Sequence, residues 1–182
     1  MKTEIEKTQF NNQTEIKRSK LFILTFLFVA VGVLLDQYTK YLAVIHLKDQ
    51  NPFVLIDGIF ELQYLENRGA AFGMMQNQQF FFLVSVIVIT LVVLFFLAKV
   101  PLEKHFIPLE LCAAAIISGA FGNCIDRVRQ GFVVDFFYFK LIDFPIFNVA
   151  DIYVTVATFL LVILLFWYYK EEDLERIFHS RK

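Results

Sequence analysis

Long apolar runs separated by short polar stretches dominate the chain. The second run carries no charged side chain and approaches the roughly 20 residues needed to cross the hydrocarbon core of a bilayer. The pattern predicts an all-α membrane protein whose transmembrane domain covers residues 21–169. Its four membrane-spanning helices are predicted at about residues 21–46, 80–98, 106–125 and 144–169.

The segments outside these helices have patterns of their own. Residues 51–66 contain two β-prone runs around the pair Asp57-Gly58, which predicts a small β-hairpin. The aromatic segment around Asp135 is predicted to be an outer loop. We expect the first apolar run to be a retained helix rather than a cleaved signal peptide, because the polar region before it is long and no clear cleavage site follows. Polar tails flank the helices, at residues 1–20 and 170–182; the second is predicted to be a solvated extension.

Composition mainly excludes some kinds of function and some kinds of site. Hydrophobic residues make up 58% of the 182 residues, and the formal net charge of −1 gives no electrostatic case for binding nucleic acid. Cys112 and Cys124 lie within an apolar stretch and build neither a disulfide framework nor a metal motif. The histidines are scattered along the chain. We therefore expect no cofactor and no bound metal.

The basic residues predict the orientation of the helices. Eleven lysines and arginines fall on the side of the two termini and five on the opposite side, with Lys40 left out because it lies within the first helix. Cytoplasmic segments carry the excess of basic residues, so both termini are predicted to be cytoplasmic. Aromatic side chains at the ends of the spans fit a membrane interface: Tyr38, Tyr41, Trp167, Tyr168 and Tyr169.

With this orientation, the polar residues that interrupt or border the helices converge on the outer side of the membrane. Asp151 is the most unusual. An aspartate at the centre of a span costs roughly 2.5–3.5 kcal/mol to insert, and this shallower one costs less but still requires compensation. Asn148 lies three residues earlier and should share its helix face. The converging set is Asp36, Lys40, Asn67, Arg68, Gly69, Asn123, Asp126, Arg127, Asp135, Asn148 and Asp151.

Two of these acids, Asp135 and Asp151, are candidates for a catalytic pair. Two carboxylates at close range cannot both ionise readily, so one holds a proton while the other stays charged. That division suits general acid–base hydrolysis, in which the charged group takes a proton from water and the protonated group donates one. Two alternatives stay open at this point: a small ion-coupled transporter, because acids within spans often mark ion pathways, and a non-enzymatic assembly factor.

Other members of the set have structural interpretations as well. Asp36 and Lys40 are spaced to pair on one helix face, which either stabilises the fold or positions a substrate or a loop. Asp126 and Arg127 are adjacent at the membrane interface, where they either form a pair or anchor a loop. Small residues in the third helix predict close packing against its neighbours: Ala113, Ala114, Ala115, Ser118, Gly119, Ala120 and Gly122.

Five motifs, in order along residues 33–152, resemble the lipoprotein signal peptidase family, also called signal peptidase II. Each motif alone is weak, but all five together with their spacing are highly specific. They are Asp36-Gln37-Tyr38-Thr39-Lys40, Asn67-Arg68-Gly69-Ala70-Ala71-Phe72-Gly73, Gly122-Asn123-Cys124-Ile125-Asp126-Arg127, Gly131-Phe132-Val133-Val134-Asp135-Phe136 and Phe147-Asn148-Val149-Ala150-Asp151.

The resemblance implies an aspartic endopeptidase of the bacterial inner membrane that acts without a metal. Its substrates are prolipoproteins with a diacylglyceryl-modified cysteine, cut immediately before that cysteine, and its surroundings are membrane lipids. By motif match, the catalytic pair falls on Asp135 and Asp151, near the extracytoplasmic face. We expect a monomer, because one chain supplies all five motifs. The match implies site-lining positions at Asn67, Gly69, Asn123, Arg127, Asn148 and Ala150, and we expect support from Asp36, Lys40 and Asp126.

The sequence departs from the usual family pattern in three respects. Ser118 stands where a glycine is common. Ile152 and Tyr153 follow the last aspartate, where smaller residues are usual, so the resemblance does not define the detailed shape of the pocket there. Both terminal tails are longer than in the minimal form of the family, and the resemblance implies no function for them.

Overall fold

The computed structural model describes residues 18–69 and 78–178, so residues 1–17 of the predicted N-terminal tail lie outside the described residues. The main helices are α1 (Arg18–Leu47), α2 (Gln79–Lys99), α3 (Ile107–Gln130) and α4 (Val149–Ile163). The last of these continues as a wider helical turn, Leu164–Tyr168. Within these described ranges, four helices are long and apolar enough to cross a membrane, which confirms the predicted fold class.

α3 is the central helix and packs against the other three. Its small residues permit this, because a Cβ atom on Gly122 would lie only 2.5 Å from Oδ2 of Asp36 on α1. Ser118 is also buried, and its hydroxyl donates to the carbonyl oxygen of Ala114 at 2.8 Å. The facing residue on α1 is Gly32, which leaves room for this serine. The predicted close packing of α3 is confirmed.

A small antiparallel sheet packs against α1 and α3. Its strands are β1 (Phe53–Ile56), β2 (Phe60–Asn67) and β3 (Val133–Phe139), in the order β1–β2–β3. Gly58, in the turn between β1 and β2, has a φ of +69°, a conformation that glycine adopts without steric strain. The predicted hairpin is confirmed. Buried side chains join the sheet to α1: Ala43, Leu47, Val134 and Phe136.

The segment around Asp135 differs from the prediction, because it is strand β3 rather than a loop. It pairs with β2, with Asp135 opposite Leu65 and Val133 opposite Asn67. The segment is rich in β-branched and aromatic residues, which pack well in a strand once a neighbouring strand supplies hydrogen bonds. The pairing brings Asp135 and Asn67 to the same end of the sheet.

The helix boundaries near this end also differ from the prediction. α3 continues to Gln130 and ends at Gly131, which has a φ of +83°. α4 begins at Val149 rather than near residue 144, because Asn148 caps it: the side-chain oxygen of Asn148 accepts a hydrogen bond from the backbone N–H of Asp151 at 3.0 Å. Asp151 therefore lies in the first turn of α4.

The C-terminal tail contains a further helix, α5 (Glu171–Phe178), and so differs from the predicted solvated extension. Leu174 and Ile177 are spaced to share one face of α5. That face packs in a cluster with Val100, Phe106, Tyr169, Leu109 and Leu164. Tyr169, predicted to be an interfacial aromatic residue, is buried there at 5% exposure. Residues 179–182 lie outside the described residues.

Candidate active site

The two aspartates singled out in the sequence lie in the walls of one cleft, at the sheet end of the helices. Asp135, in β3, is 1% exposed, and Asp151 lies in the first turn of α4. The cleft has a volume of about 1120 Å³ and is bordered by β2, β3, α2, α3 and α4. Two distant parts of the sequence thus contribute carboxylates to the same cavity.

Asn148 connects the two carboxylates. Its Nδ2 donates to Oδ1 of Asp135 at 2.6 Å, and its backbone N–H donates to Oδ2 of Asp151 at 3.1 Å. The backbone N–H of Asp151 in turn donates to Oδ1 of Asn148, which completes a capping box. Because one residue bonds to both carboxylates, the start of α4 fixes where they stand relative to each other.

Two further amides hold the remaining carboxylate oxygens. Asn67, at the end of β2, donates to Oδ2 of Asp135 at 2.8 Å, and Asn123 of α3 donates to Oδ1 of Asp151 at 2.8 Å. The backbone N–H of Gly69 donates to Oδ1 of Asn67 at 3.0 Å, which turns the Asn67 NH₂ group toward the aspartate. Each carboxylate is therefore hydrogen-bonded at both oxygens, by groups from different elements.

Burial makes the carboxyl of Asp135 a weaker acid than an ordinary aspartate, because it raises the pKa. Loss of hydration raises the pKa of its carboxyl, and the negative charge of Asp151 raises it further, to about 7. The hydrogen bonds from Asn67 and Asn148 act in the opposite direction, because they favour the ionised form. Near neutral pH, Asp135 can therefore both hold and release a proton, as a general acid must.

A buried ion network lies behind the cleft. Nζ of Lys40 is 2.9 Å from Oδ2 of Asp36 and 3.0 Å from Oδ2 of Asp126, and none of the three side chains is more than 6% exposed. The predicted pairing of Asp36 with Lys40 is confirmed. Each carboxylate also holds backbone near the site: Asp36 accepts the N–H of Ala150 at 3.0 Å, and Asp126 accepts that of Val134 at 3.2 Å.

Lys40 reaches the carboxylate pair through Asn123. Its Nζ donates to Oδ1 of Asn123 at 2.9 Å, which leaves the NH₂ group of that amide to donate to Asp151. Gln37 completes the network by donating to Oδ1 of Asp126 at 2.9 Å. Gln37 was not among the predicted site residues. Its spacing of three residues from Lys40, which places both on one helix face, was the available signal.

Arg127 forms part of the cleft wall. Its guanidinium donates to the carbonyl oxygen of Gly69 at 3.0 Å and lies 4.2 Å from the centre of the Phe82 ring on α2. Such a contact between a cation and an aromatic face is attractive. Asp126 pairs with Lys40 instead, so the two adjacent residues anchor different segments around the site.

Four of the predicted site-lining residues line the cleft: Asn67, Gly69, Asn123 and Arg127. The other two, Asn148 and Ala150, do not line the cleft as predicted. Both have 0% exposure and lie beneath the cleft wall. Asn148 is buried by capping α4, and Ala150 by its close approach to Gly119. Residues 70–73 of the second motif lie outside the described residues.

The part of the cleft that extends between the helices is largely apolar. Ile152, one of the departures from the family pattern, lines it, whereas Tyr153 faces Gly32 of α1. Within residues 18–69 and 78–178, no group of three or more His, Cys, Asp or Glu side chains is placed to hold a metal ion. The walls from α2 and α4 are Phe82, Ser85, Val86, Ile89, Asp151, Ile152, Val154, Thr155 and Val156.

Known proteins are similar to this chain over most of its length. A family model described as signal peptidase (SPase) II matches residues 28–167. A protein of Caldanaerobacter subterraneus subsp. tengcongensis named lipoprotein signal peptidase is 43% identical over 139 residues, which are 76% of this chain and 92% of the relative. A protein of the same name from Streptococcus pyogenes serotype M5 is 43% identical over 159 residues, 86% of this chain and 97% of the relative.

Two solved structures, both described as bacterial membrane enzymes, share the fold. One has a TM-score of 0.74 at 29% identity and covers 87% of this chain and 96% of its own. The other has a TM-score of 0.69 at 28% identity and covers 86% of this chain and 98% of its own. Residues 28–167 contain the ion network, both aspartates and the amides that hold them. On these grounds the chain, a multi-pass membrane protein, belongs to the signal peptidase II family.

Proposed function

We propose that this chain is an aspartic endopeptidase that removes signal peptides from diacylglyceryl-modified prolipoproteins and cuts immediately before the lipidated cysteine. Membership of a peptidase family supports hydrolysis and argues against the transporter and assembly-factor alternatives. The observation that carries the aspartic mechanism is that Asp135 and Asp151 bond to the same residue, Asn148, within one cleft.

The proposed reaction divides acid and base work between the two carboxyls. Asp151 takes a proton from a water molecule while the oxygen of that water attacks the scissile carbonyl carbon. Asp135, protonated near neutral pH, donates its proton to the carbonyl oxygen, which gives a neutral tetrahedral diol. Asp151 then protonates the departing nitrogen, and Asp135 recovers a hydroxyl proton as the C–N bond breaks. Both carboxyls return to their starting states.

The position of the cleft suits a substrate confined to a bilayer. α3 forms its floor, and α2 and α4 flank it with apolar side chains. A signal segment or an acyl chain gains free energy when it leaves water for such a surface. Asp135 and Asp151 lie where this apolar part meets the sheet, so a peptide bond beside a lipid-modified cysteine would reach them near the headgroup level.

We further propose a monomer in the bacterial inner membrane, with both termini cytoplasmic and the cleft near the outer face. The excess of lysine and arginine on the side of the termini supports this orientation. The monomer is supported by the carboxylate pair and the ion network, whose residues all come from one chain. Membrane lipids surround the exposed apolar faces of the helices.

Cleavage of a lipidated prolipoprotein by the purified protein in lipid nanodiscs tests the proposal directly. We expect release of the signal peptide and a new N-terminus at the modified cysteine, both identified by mass spectrometry. The same precursor without its diacylglyceryl group should be cut much more slowly, because the acyl chains hold the bond at the cleft. Cleavage at another bond, or equal rates with and without the lipid, would contradict the proposal.

The acidity of Asp135 leads to a prediction about pH. Its pKa of about 7 means that the acid form is present below that pH and lost above it, so we expect kcat/KM to fall as the pH rises through about 7. Removing a hydrogen bond that favours the ionised form raises the pKa further. Asn67→Ala should therefore move the alkaline limb of the pH–rate profile to higher pH.

The matched control for this shift is Asn51→Ala, at an exposed position before β1. It should leave the alkaline limb where it stands in the unmodified protein. An alkaline limb that stays in place in Asn67→Ala, or that moves to lower pH, would show that Asp135 is not the group that limits the rate.

A further inference from the structure

The outermost part of the sheet exposes apolar side chains on both of its faces. All four residues of the edge strand β1 are exposed, although alternate side chains of a strand point to opposite faces. Leu141 and Ile142, in the turn after β3, are each 68% exposed. We define the sheet tip as the set Phe53, Val54, Leu55, Ile56, Ile59, Leu141 and Ile142.

The sheet tip is one surface rather than two. The backbone N–H of Leu141 donates to the carbonyl oxygen of Ile59 at 3.4 Å, and Phe139 pairs with Phe60. The turn after β3 therefore lies beside the turn that joins β1 to β2. An exposed apolar surface of this kind, bordered here by the charged residues Asp57 and Lys140, marks contact with a protein partner or with a membrane.

The packing of the sheet on α1 places it at the membrane interface. Val134 and Phe136 of β3 pack against Ala43 and Leu47, in the last turns of α1. Tyr41, which is 60% exposed, lies about 9 Å before Leu47 along the helix axis, at 1.5 Å per residue. Exposed tyrosines at the end of a span lie at the headgroup level. The sheet therefore stands at that level and not well above it.

We infer that the sheet tip inserts into the outer interface of the lipid bilayer and anchors the sheet there. Continuity with the lipid-facing surface of α1 favours lipid over a second copy of the chain, because Val44 and Ile45 are exposed on the same turns of α1 that contact the sheet. Edge strands in water usually carry charged or other polar protection, and the side chains of β1 offer none. Lipid contact covers both of its faces.

Insertion gives the sheet a role in substrate capture, and this consequence rests on the proposed function. β2 and β3 carry Asn67 and Asp135 in the cleft wall. An anchored sheet holds this wall at the depth where the lipidated cysteine of a substrate lies. We therefore expect the double variant Leu141→Asp, Ile142→Asp to lower cleavage severalfold in nanodiscs, with a smaller loss in detergent micelles.

Tryptophan fluorescence tests the insertion without reference to cleavage. The single native tryptophan is removed by Trp167→Phe, and Ile142→Trp then places one reporter in the sheet tip. The protein is placed in nanodiscs of phosphatidylethanolamine and phosphatidylglycerol, part of which carries a doxyl quencher near the top of the acyl chain. We expect strong quenching by this lipid and weak quenching by aqueous acrylamide. The control Glu175→Trp, on the exposed side of α5, should show the opposite pattern.

The quenching of the reporter at 142 decides whether the sheet tip lies in lipid. If acrylamide quenches the reporter at 142 as well as it quenches the reporter at 175, the tip lies in water and the inference is overturned. Protection of the reporter at 142 from both quenchers would indicate that protein, such as a second copy of the chain, covers the tip, and would overturn it too. Because neither measurement uses substrate, failure of the anchor is distinguishable from failure of the proposed peptidase activity.

Discussion

Asp135→Asn and Asp151→Asn should each lower kcat for prolipoprotein cleavage by at least about 10³-fold, within the range that general acid–base groups contribute. An asparagine at 135 has no acidic proton to give to the carbonyl oxygen, and one at 151 cannot take a proton from water. The side-chain volume remains, and the amide oxygen keeps one of the two hydrogen bonds that each carboxylate accepts. We therefore expect the variants to insert and bind substrate while turnover is lost.

The measurement is the initial rate of signal-peptide release in nanodiscs, with binding of a lipidated precursor followed separately. Asp49→Asn is the matched control. Asp49 is exposed and has a φ of +59°, a conformation that asparagine tolerates well, so its rate should equal that of the unmodified protein. A variant at 135 or 151 that turns over at near the unmodified rate would refute the aspartic mechanism.

Lys40→Met should cause the largest loss of stability among single changes in the ion network. It leaves the carboxylates of Asp36 and Asp126 buried without their cation, at 0% and 4% exposure. Removing one partner of a buried ion pair destabilises a protein by about 3–5 kcal/mol, because the remaining charge stays desolvated. We expect kcat to fall as well, because Asn123 loses one of the two hydrogen bonds to its Oδ1 that direct its NH₂ group to Asp151; the other comes from Asn148.

Lys48→Met provides the comparison for this effect. Lys48 pairs with Glu66 at 3.3 Å, but its side chain is 43% exposed, and such surface pairs contribute about 0–1 kcal/mol. Unfolding of both variants by a denaturing detergent, followed by circular dichroism, gives the two free-energy changes. A loss for Lys40→Met no larger than that for Lys48→Met would mean that the buried network does not stabilise the fold.

The membrane fold could be predicted from the sequence because each membrane-spanning helix depends on the residues of its own segment. Uncharged apolar runs predict helices wherever they fall, and the Asp57-Gly58 pair predicts a hairpin from its own turn chemistry. β3 was missed because its partner strand β2 is about 70 residues away, so no local pattern shows the pairing. The start of α4 was misplaced because the apolar character of residues 144–148 hides the cap at Asn148.

The acids of the candidate site could be predicted from the sequence, but the hydrogen bonds that connect them could not. Asp135 and Asp151 stand out as charges in apolar surroundings, and their motifs resemble one family. That Asn148 bonds to both, and that Lys40 acts on Asp151 through Asn123, depends on three-dimensional contacts. Burial of Asn148 and Ala150 beneath the wall likewise follows from helix packing, which a motif does not encode.

The capping box at the start of α4 gives Asp151 two tasks, one architectural and one chemical. Its carboxylate closes the first helical turn by accepting the Asn148 N–H, and in the proposed reaction the same group gains and loses a proton. Each catalytic cycle would then briefly loosen the helix terminus, since a neutral carboxyl accepts hydrogen bonds more weakly than a carboxylate. An alanine at this position would remove both tasks at once, whereas an asparagine could still accept the Asn148 N–H through its amide oxygen and so keep the helix terminus without the acid–base chemistry.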